Sequence, residues 1–249
     1  MTEQDPSSTS SLNNPSIRSA LKSRWKQAHD LGLKMTSQET LSDGTFKFYH
    51  TRNNINVFYK PTEETSIVRG EVICQDVKAD EFLKTFLTND MKVKVQLDPH
   101  VLRSEIVEKW QDEEGSWNVA YFARSTAPMI APRDFISIFN IVKIPQDQET
   151  IYTSAGIPQD FSSYQLPSHF KPLEGAVRGF NVFTTLRLKE LSNGDLKMSY
   201  ANQALPNGWI PFSIVNAVIF SVPQALGETA KYLRKKLRHL NEGSHASEK

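Results

Sequence analysis

A single cysteine, Cys74, excludes an intramolecular disulfide and any cysteine-based zinc cluster in this chain of 249 residues. No Asn-x-Ser/Thr sequon occurs either, so a reducing, cytoplasmic setting is expected. Charge of one sign is missing: 29 Lys and Arg against 28 Asp and Glu leave +1, without the field that holds a nucleic-acid backbone. Long apolar runs are missing too. The most apolar stretch, residues 209–222, contains Pro211, Ser213, Asn216 and Ser221, stops at Pro223 and falls short of the ~20 apolar residues of a membrane span, so it is expected to be a buried helix. Residues 1–14 are rich in Ser, Thr and Asn with no apolar core of a signal peptide.

Catalytic signatures are equally scarce. There is no Gly-x-Ser-x-Gly elbow, no Gly-x-Gly-x-x-Gly and no Gly-x-x-x-x-Gly-Lys loop. The histidines at 29, 50, 100, 169, 239 and 245 lack metal-ligand spacing and read as surface residues. Asp112-Glu113-Glu114 reads as solvated charge on a hairpin tip, and Cys74 as a core thiol. No catalytic residue, metal or cofactor is assigned.

What is present is an order of elements. Ile17, Leu21, Trp25, Ala28 and Leu31 recur at helical spacing after Pro15 and Ser16, with Gly32 as a stop. Period-2 runs at 46–50, 55–59 and 67–73 read as a meander, with Asp43-Gly44 and Asn53-Asn54 as turns. Residues 80–87 form a short helix, and the segment up to Pro99 reads as irregular. Strands follow at 101–110, 117–125, 135–144, 150–155, 180–191 and 196–205, the last two joined by Asn193-Gly194. A closing helix spans 211–240 with a bend at Pro223. The fold class is therefore α+β, a long antiparallel sheet wrapped around its last helix. Residues 1–15 and 241–249 are expected to be disordered tails around one domain at 16–240.

Strand Trp117-Asn118-Val119-Ala120-Tyr121-Phe122-Ala123-Arg124-Ser125 leads through Ala127-Pro128-Met129-Ile130 into Ala131-Pro132-Arg133-Asp134-Phe135. Val177-Arg178-Gly179, Gly208-Trp209-Ile210-Pro211, Asn216 and Leu233-Arg234-Lys235-Lys236-Leu237 come after it. In this order, over residues 17–240, the chain resembles the START family (steroidogenic acute regulatory protein-related lipid transfer domains). The resemblance implies a helix-grip fold, a curved antiparallel sheet closed by a C-terminal helix around a tunnel that holds one lipid. It implies a carrier rather than an enzyme, a monomer in transient contact with membranes.

Sterol-binding members of that family resemble one another in a carboxylate and an Arg on the strands flanking the Ω loop; Ala120 and Phe139 stand there, so the sterol-type charge pair is missing. Phosphatidylcholine-binding members have a phosphate-contacting Arg four residues before the Asp of a Trp-Asp pair, and aromatic residues around the choline. The matching positions are Lys94, Asp98, Phe122 and Phe135, with Leu97-Asp98 in place of Trp-Asp. Lys neutralises a phosphate but makes no bidentate fork. Arg178, a further ligand candidate, reads with Arg133-Asp134 as mainly structural, because an unpaired charge in an apolar tunnel is costly. Met129 and Ile130 form an uncharged loop tip suited to a membrane surface or to packing on the core; Trp209, Ile210 and Phe212 complete the expected gate. Arg234, Lys235, Lys236 and Arg238 form a basic face that either meets anionic headgroups or stays solvated. Phospholipid is expected ahead of sterol or ceramide; a lipid-gated sensor or interaction module, and an enzyme with a polar pair in the cavity, are the other readings.

Overall fold

The computed structural model describes residues 11–161 and 164–246, apart from the side chains of residues 212–213 and 239–246. Residues 1–10 and 247–249 of the expected tails lie outside the described residues. Within the first tail, Ser11–Asn13 forms a 3-10 turn that buries Leu12 in the core, so order begins earlier than its polar composition implied. Helix α1 (Pro15–Met35) starts where the Asn14 side chain accepts from Ser16 N and Pro15 fills a first-turn position that needs no donor. Its stripe of Ile17, Leu21, Trp25, Ala28 and Met35 is buried.

Gly32 does not stop α1. The helix runs on to Met35 because Gly32 faces the sheet, where a Cβ would lie 1.8 Å from Thr185 Oγ1 and 2.6 Å from Thr185 Cβ. After α2 (Gln38–Ser42), strands β1 (Lys47–Arg52), β2 (Ile55–Lys60) and β3 (Ile67–Cys74) form the expected meander. Asn53 and Asn54 at φ 52° and 62° supply the left-handed pair of a tight hairpin turn. Helix α3 (Ala79–Phe86) is followed by a helix where irregular chain was expected, α4 (Met91–Leu97), whose first turn is capped by Asp90 Oδ1 accepting from Lys92 N. The sheet continues with β4 (Val101–Asp112), β5 (Gly115–Arg124), β6 (Arg133–Ile144), β7 (Glu149–Gly156), the two-residue β8 (Val177–Arg178), β9 (Phe180–Glu190) and β10 (Leu196–Leu205). Neighbours run β1-β2-β3-β10-β9-β7-β6-β5-β4, antiparallel throughout, with β8 paired parallel to β6.

Two helices replace the single closing one. Pro223, which lacks an amide donor, separates α5 (Phe212–Ser221) from α6 (Gln224–Ala246), and α6 continues past Leu240. The sheet is apolar on both faces. On one, α1 and the segment between β7 and β8 cover a cluster that includes Trp117, Val119, Tyr121, Ile138, Phe183 and Ala201. On the other, Ile219, Phe220, Leu226, Ala230 and Leu233 of α5 and α6 join Tyr152, Leu186, Leu188, Met198 and Tyr200. This curved antiparallel sheet gripping a C-terminal helix is the α+β helix-grip architecture. The charged hairpin tip is less free than expected: Lys22 of α1 pairs with Asp112 at 3.1 Å and Glu114 at 2.6 Å, and Trp117 Nε1 donates to Asp112.

Gly32→Ala tests the seat of α1. In an exposed helix the change would stabilise by about 1 kcal/mol. Against Thr185 it should instead cost about 1–3 kcal/mol and lower Tm by several degrees, measured by thermal denaturation.

Candidate functional site

Strand alternation decides which side chains meet between the sheet and α5. On β5, Trp117, Val119, Tyr121 and Ala123 are buried toward α1, so Ala120, Phe122 and Arg124 face the other way. Register then aligns Ser104, Phe122 and Phe135 in one row across β4, β5 and β6. Ile106, Ala120 and Ser137 form the next row, and Arg124 pairs with Arg133. Phe139, Ser154, Thr184 and Asn202 form a further row across β6, β7, β9 and β10. All of these line one cavity of about 280 Å³, roofed by Ile210, Ile214, Val215, Val218, Ile219 and Val222 and closed at one side by Phe86, Leu87, Lys94, Leu97 and Asp98. Among the described residues no His, Cys, Asp and Glu cluster could hold a metal ion, and no helix is long and apolar enough to cross a membrane.

The polar groups in this cavity fall into two sets. Deep in the sheet, Asn202 Nδ2 donates to Thr184 Oγ1 at 2.8 Å and Phe183 O at 3.1 Å, and Thr184 Oγ1 donates to Asn181 Oδ1 at 3.1 Å. Beside them, burial pushes the Tyr152 hydroxyl up to about 12 and raises that of Tyr200 as well, so both stay neutral donors. Near α4 lie the charges. Lys94 Nζ donates to Phe86 O at 2.8 Å, and burial lowers its pKa to about 8 against the opposing pull of Asp98. Asp98 also pairs with Arg124 at 3.6 Å.

Arg133 holds the end of the cavity together. Its guanidinium donates to Pro206 O at 2.9 Å, Ala131 O at 2.6 Å and Asn207 O at 3.1 Å, tying the loop that leads into β6 to the loop that leads into α5. Each loop carries one exposed apolar side chain: Met129, fully exposed with φ 64°, and Trp209, 84% exposed.

No family model matches the sequence, and no curated protein matches it significantly. Solved structures do match. Human StAR-related lipid transfer protein 5 superposes with a TM-score of 0.66 at 19% identity, covering 87% of this chain and 99% of its own. The chain has the START fold. Human STARD10 gives a TM-score of 0.63 at 16% identity over 87% of this chain and 84% of that one. A STAR-related lipid transfer protein fragment from Xanthomonas axonopodis gives 0.58 at 21% over 76% and 99%.

Within this START fold the four candidates Lys94, Asp98, Phe122 and Phe135 come together on the cavity wall, the two phenylalanines directly opposite each other. Arg178 does not join them. Its Nε and Nη2 reach Asp134 Oδ1 and Oδ2 at 2.7 and 3.1 Å, and Tyr121 OH donates to the same carboxylate at 2.9 Å, so its fork is fully used outside the cavity. Ile210 lines the cavity, Ile130 lies in the Met129 loop, and the Phe212 side chain lies outside the described residues. Arg124, Tyr152, Tyr200 and Asn202 are cavity residues that the motif comparison missed. Arg124 had a signal: it stands two residues from Phe122 and so shares its face.

The basic face is remote from the tip. Arg234 acts electrostatically on Cys74, which pairs with Leu196 at the start of β10, whereas the clamp on Pro206 and Asn207 lies just past the end of β10. That strand is 10 residues long, about 30 Å. Lys235, Lys236 and Arg238 are exposed on the same turns of α6.

Two outcomes follow for measurement. On the carrier reading proposed below, Met129→Asp with Trp209→Asp should slow lipid exchange between zwitterionic vesicles several-fold with an unchanged circular dichroism spectrum, while Lys235→Glu with Lys236→Glu should leave that exchange unaltered. Second, a depressed lysine pKa means that the unfolded chain binds a proton the native one has released between about pH 8 and the ordinary 10.5. The ligand-free protein should therefore gain stability relative to Lys94→Met as pH rises from 8 to 10, read by urea unfolding at each pH.

Proposed function

We propose that this protein is a non-enzymatic carrier that holds one lipid in the cavity and moves it between membranes, with phospholipid as the preferred cargo. The observation that carries the reading is the cavity itself: apolar along α5, with Lys94, Asp98, Phe122 and Phe135 all on its lining and the two phenylalanines register partners on β5 and β6. Neighbours of the same fold are named lipid transfer proteins, which supports a carrier over an enzyme. Energetics favour the same conclusion. Two acyl chains with about 30 methylenes lose about 24 kcal/mol on entering water at about 0.8 kcal/mol each, so spontaneous exchange is slow and an apolar shelter removes the barrier. A bilayer is equally apolar, so the cavity gains little net affinity over the membrane and lipid moves down its gradient.

Phosphatidylcholine is the headgroup this reading favours. A quaternary ammonium over Phe122 and Phe135 gains about 0.5–2 kcal/mol per ring, and Lys94 neutralises the phosphate. Ala120 and Phe139 on the cavity wall offer no charge pair for a sterol hydroxyl. Loading proceeds at a membrane surface through the Met129 and Trp209 loops, by a monomer working in the cytoplasm. Native mass spectrometry of protein purified from cells should show one phospholipid mass per chain. Phe122→Leu with Phe135→Leu should then abolish preference for choline over ethanolamine lipids in a transfer assay without lowering ethanolamine transfer. A bound sterol, or equal loss of every lipid, would falsify the choline assignment.

A further inference from the structure

Among the described residues, Arg69, Arg133, Arg178 and Arg187 are buried or half-buried and well paired, and Arg124 is not. Arg69, 1% exposed, donates to Met35 O, Ser37 O and Thr36 O and pairs with Glu71 at 2.7 Å. Arg133 has three carbonyls, Arg178 has both oxygens of Asp134, and Arg187 grips Glu149 at 2.8 and 2.9 Å. Arg124 is 8% exposed, yet its Nε has no hydrogen-bond partner among the described residues, and its contact with Asp98 at 3.6 Å is well outside the ~2.7–2.9 Å of a charge-assisted hydrogen bond. A desolvated guanidinium this poorly paired is unfavourable, and an anion presenting two oxygens from the cavity would relieve it.

Its surroundings select the anion. Lys94, Arg124 and Arg133 face the cavity against the carboxylate of Asp98; Glu105, also at the wall, is paired with Arg103. Positive charge is thus in surplus, and the field of Arg124 reaches across to Tyr200 on the far strand. Phe122 and Phe135 begin one row away, two residues or about 7 Å along β5.

We infer that Arg124 is the phosphate-binding residue of the cavity: its guanidinium turns from Asp98 to grip two oxygens of a glycerophospholipid phosphate, with Lys94 as the second cation. This deepens the phospholipid reading and rests on it. It assigns to β5 the bidentate fork that the lysine on α4 cannot form. It also makes the phosphate, rather than the acyl chains, the group by which the cavity tells its cargo from a neutral lipid with the same chains.

Chain-labelled phosphatidylcholine, phosphatidic acid and diacylglycerol test it, the first two separating a zwitterionic from a net-anionic phosphate source. Wild type should bind one or both phosphate lipids and discriminate against diacylglycerol. Arg124→Gln should weaken phosphate-lipid binding by about 10-fold or more, with diacylglycerol binding unchanged, and Arg124→Lys should recover part of the loss. Equal weakening for all three lipids, or no weakening, would overturn the assignment, as would a wild type that takes diacylglycerol as well as phosphatidylcholine; the carrier reading survives each of these. A wild type that binds none of the three overturns the phospholipid reading on which the assignment rests. Should Arg124→Gln not fold, the 31P resonance of bound phosphatidylcholine decides: it should shift between wild type and Arg124→Lys, and an unmoved resonance refutes contact.

Discussion

Period-two alternation along β5 and β6 is the constraint on which the remaining architecture depends. Both faces of these strands are enclosed, one by α1 and the other by α5, so each residue has to match one of two different interiors. Toward α1 the side chains are large and close-packed: Trp117 lies edge-on to Trp25 and stacks on Trp110. Toward α5 they leave space. A register slip of one residue would place Trp117 and Tyr121 in the cavity and turn Phe122 and Arg124 into the α1 interface. The alternation therefore specifies a well-filled core and an unfilled one from the same ten residues of β5.

Buried charge is distributed on the same principle. Asp134, 2% exposed, receives Arg178 and Tyr121, and Tyr121 OH in turn accepts from Leu173 N at 2.7 Å, so one carboxylate fixes β6, β8 and the segment between β7 and β8. Glu149 with Arg187 and Glu71 with Arg69 tie neighbouring strands or the helix end above them. The charged members of these networks are not part of the cavity lining, and satisfied groups of this kind rigidify the fold. Beside α4, by contrast, Asp98 and Arg124 are 3.6 Å apart, and there the wall is formed by a short helix rather than a strand.

Legibility followed local chemistry. The Asn53-Asn54 and Asn193-Gly194 turns, the apolar stripe of α1 and the alternating strands could all be read because each is written within a few neighbouring residues. Gly32 misled because its role is set by Thr185, 153 positions away in the chain and invisible to a local rule. Helix α4 was missed because among its seven residues only Leu97 is buried, leaving no apolar period to detect; its one signal was the Asp90 cap. That omission mattered, since α4 carries Lys94. Arg178 was placed among ligand candidates by motif, whereas its partner Asp134 is its neighbour only through the parallel pairing of β8 with β6. Phe122 and Phe135 were legible because their convergence needs nothing beyond strand parity.

Every acceptor that Arg133 holds is a main-chain carbonyl, on Ala131, Pro206 and Asn207. Carbonyls do not titrate and do not change when a side chain is replaced, so the clasp between the two loops is indifferent to the side chains those loops display. Residues such as Met129 and Trp209 can then be exchanged for larger, smaller or more polar ones without unfastening the end of the molecule. What the two loops display and the integrity of the fold are thereby separable properties, free to be tuned one at a time by substitution.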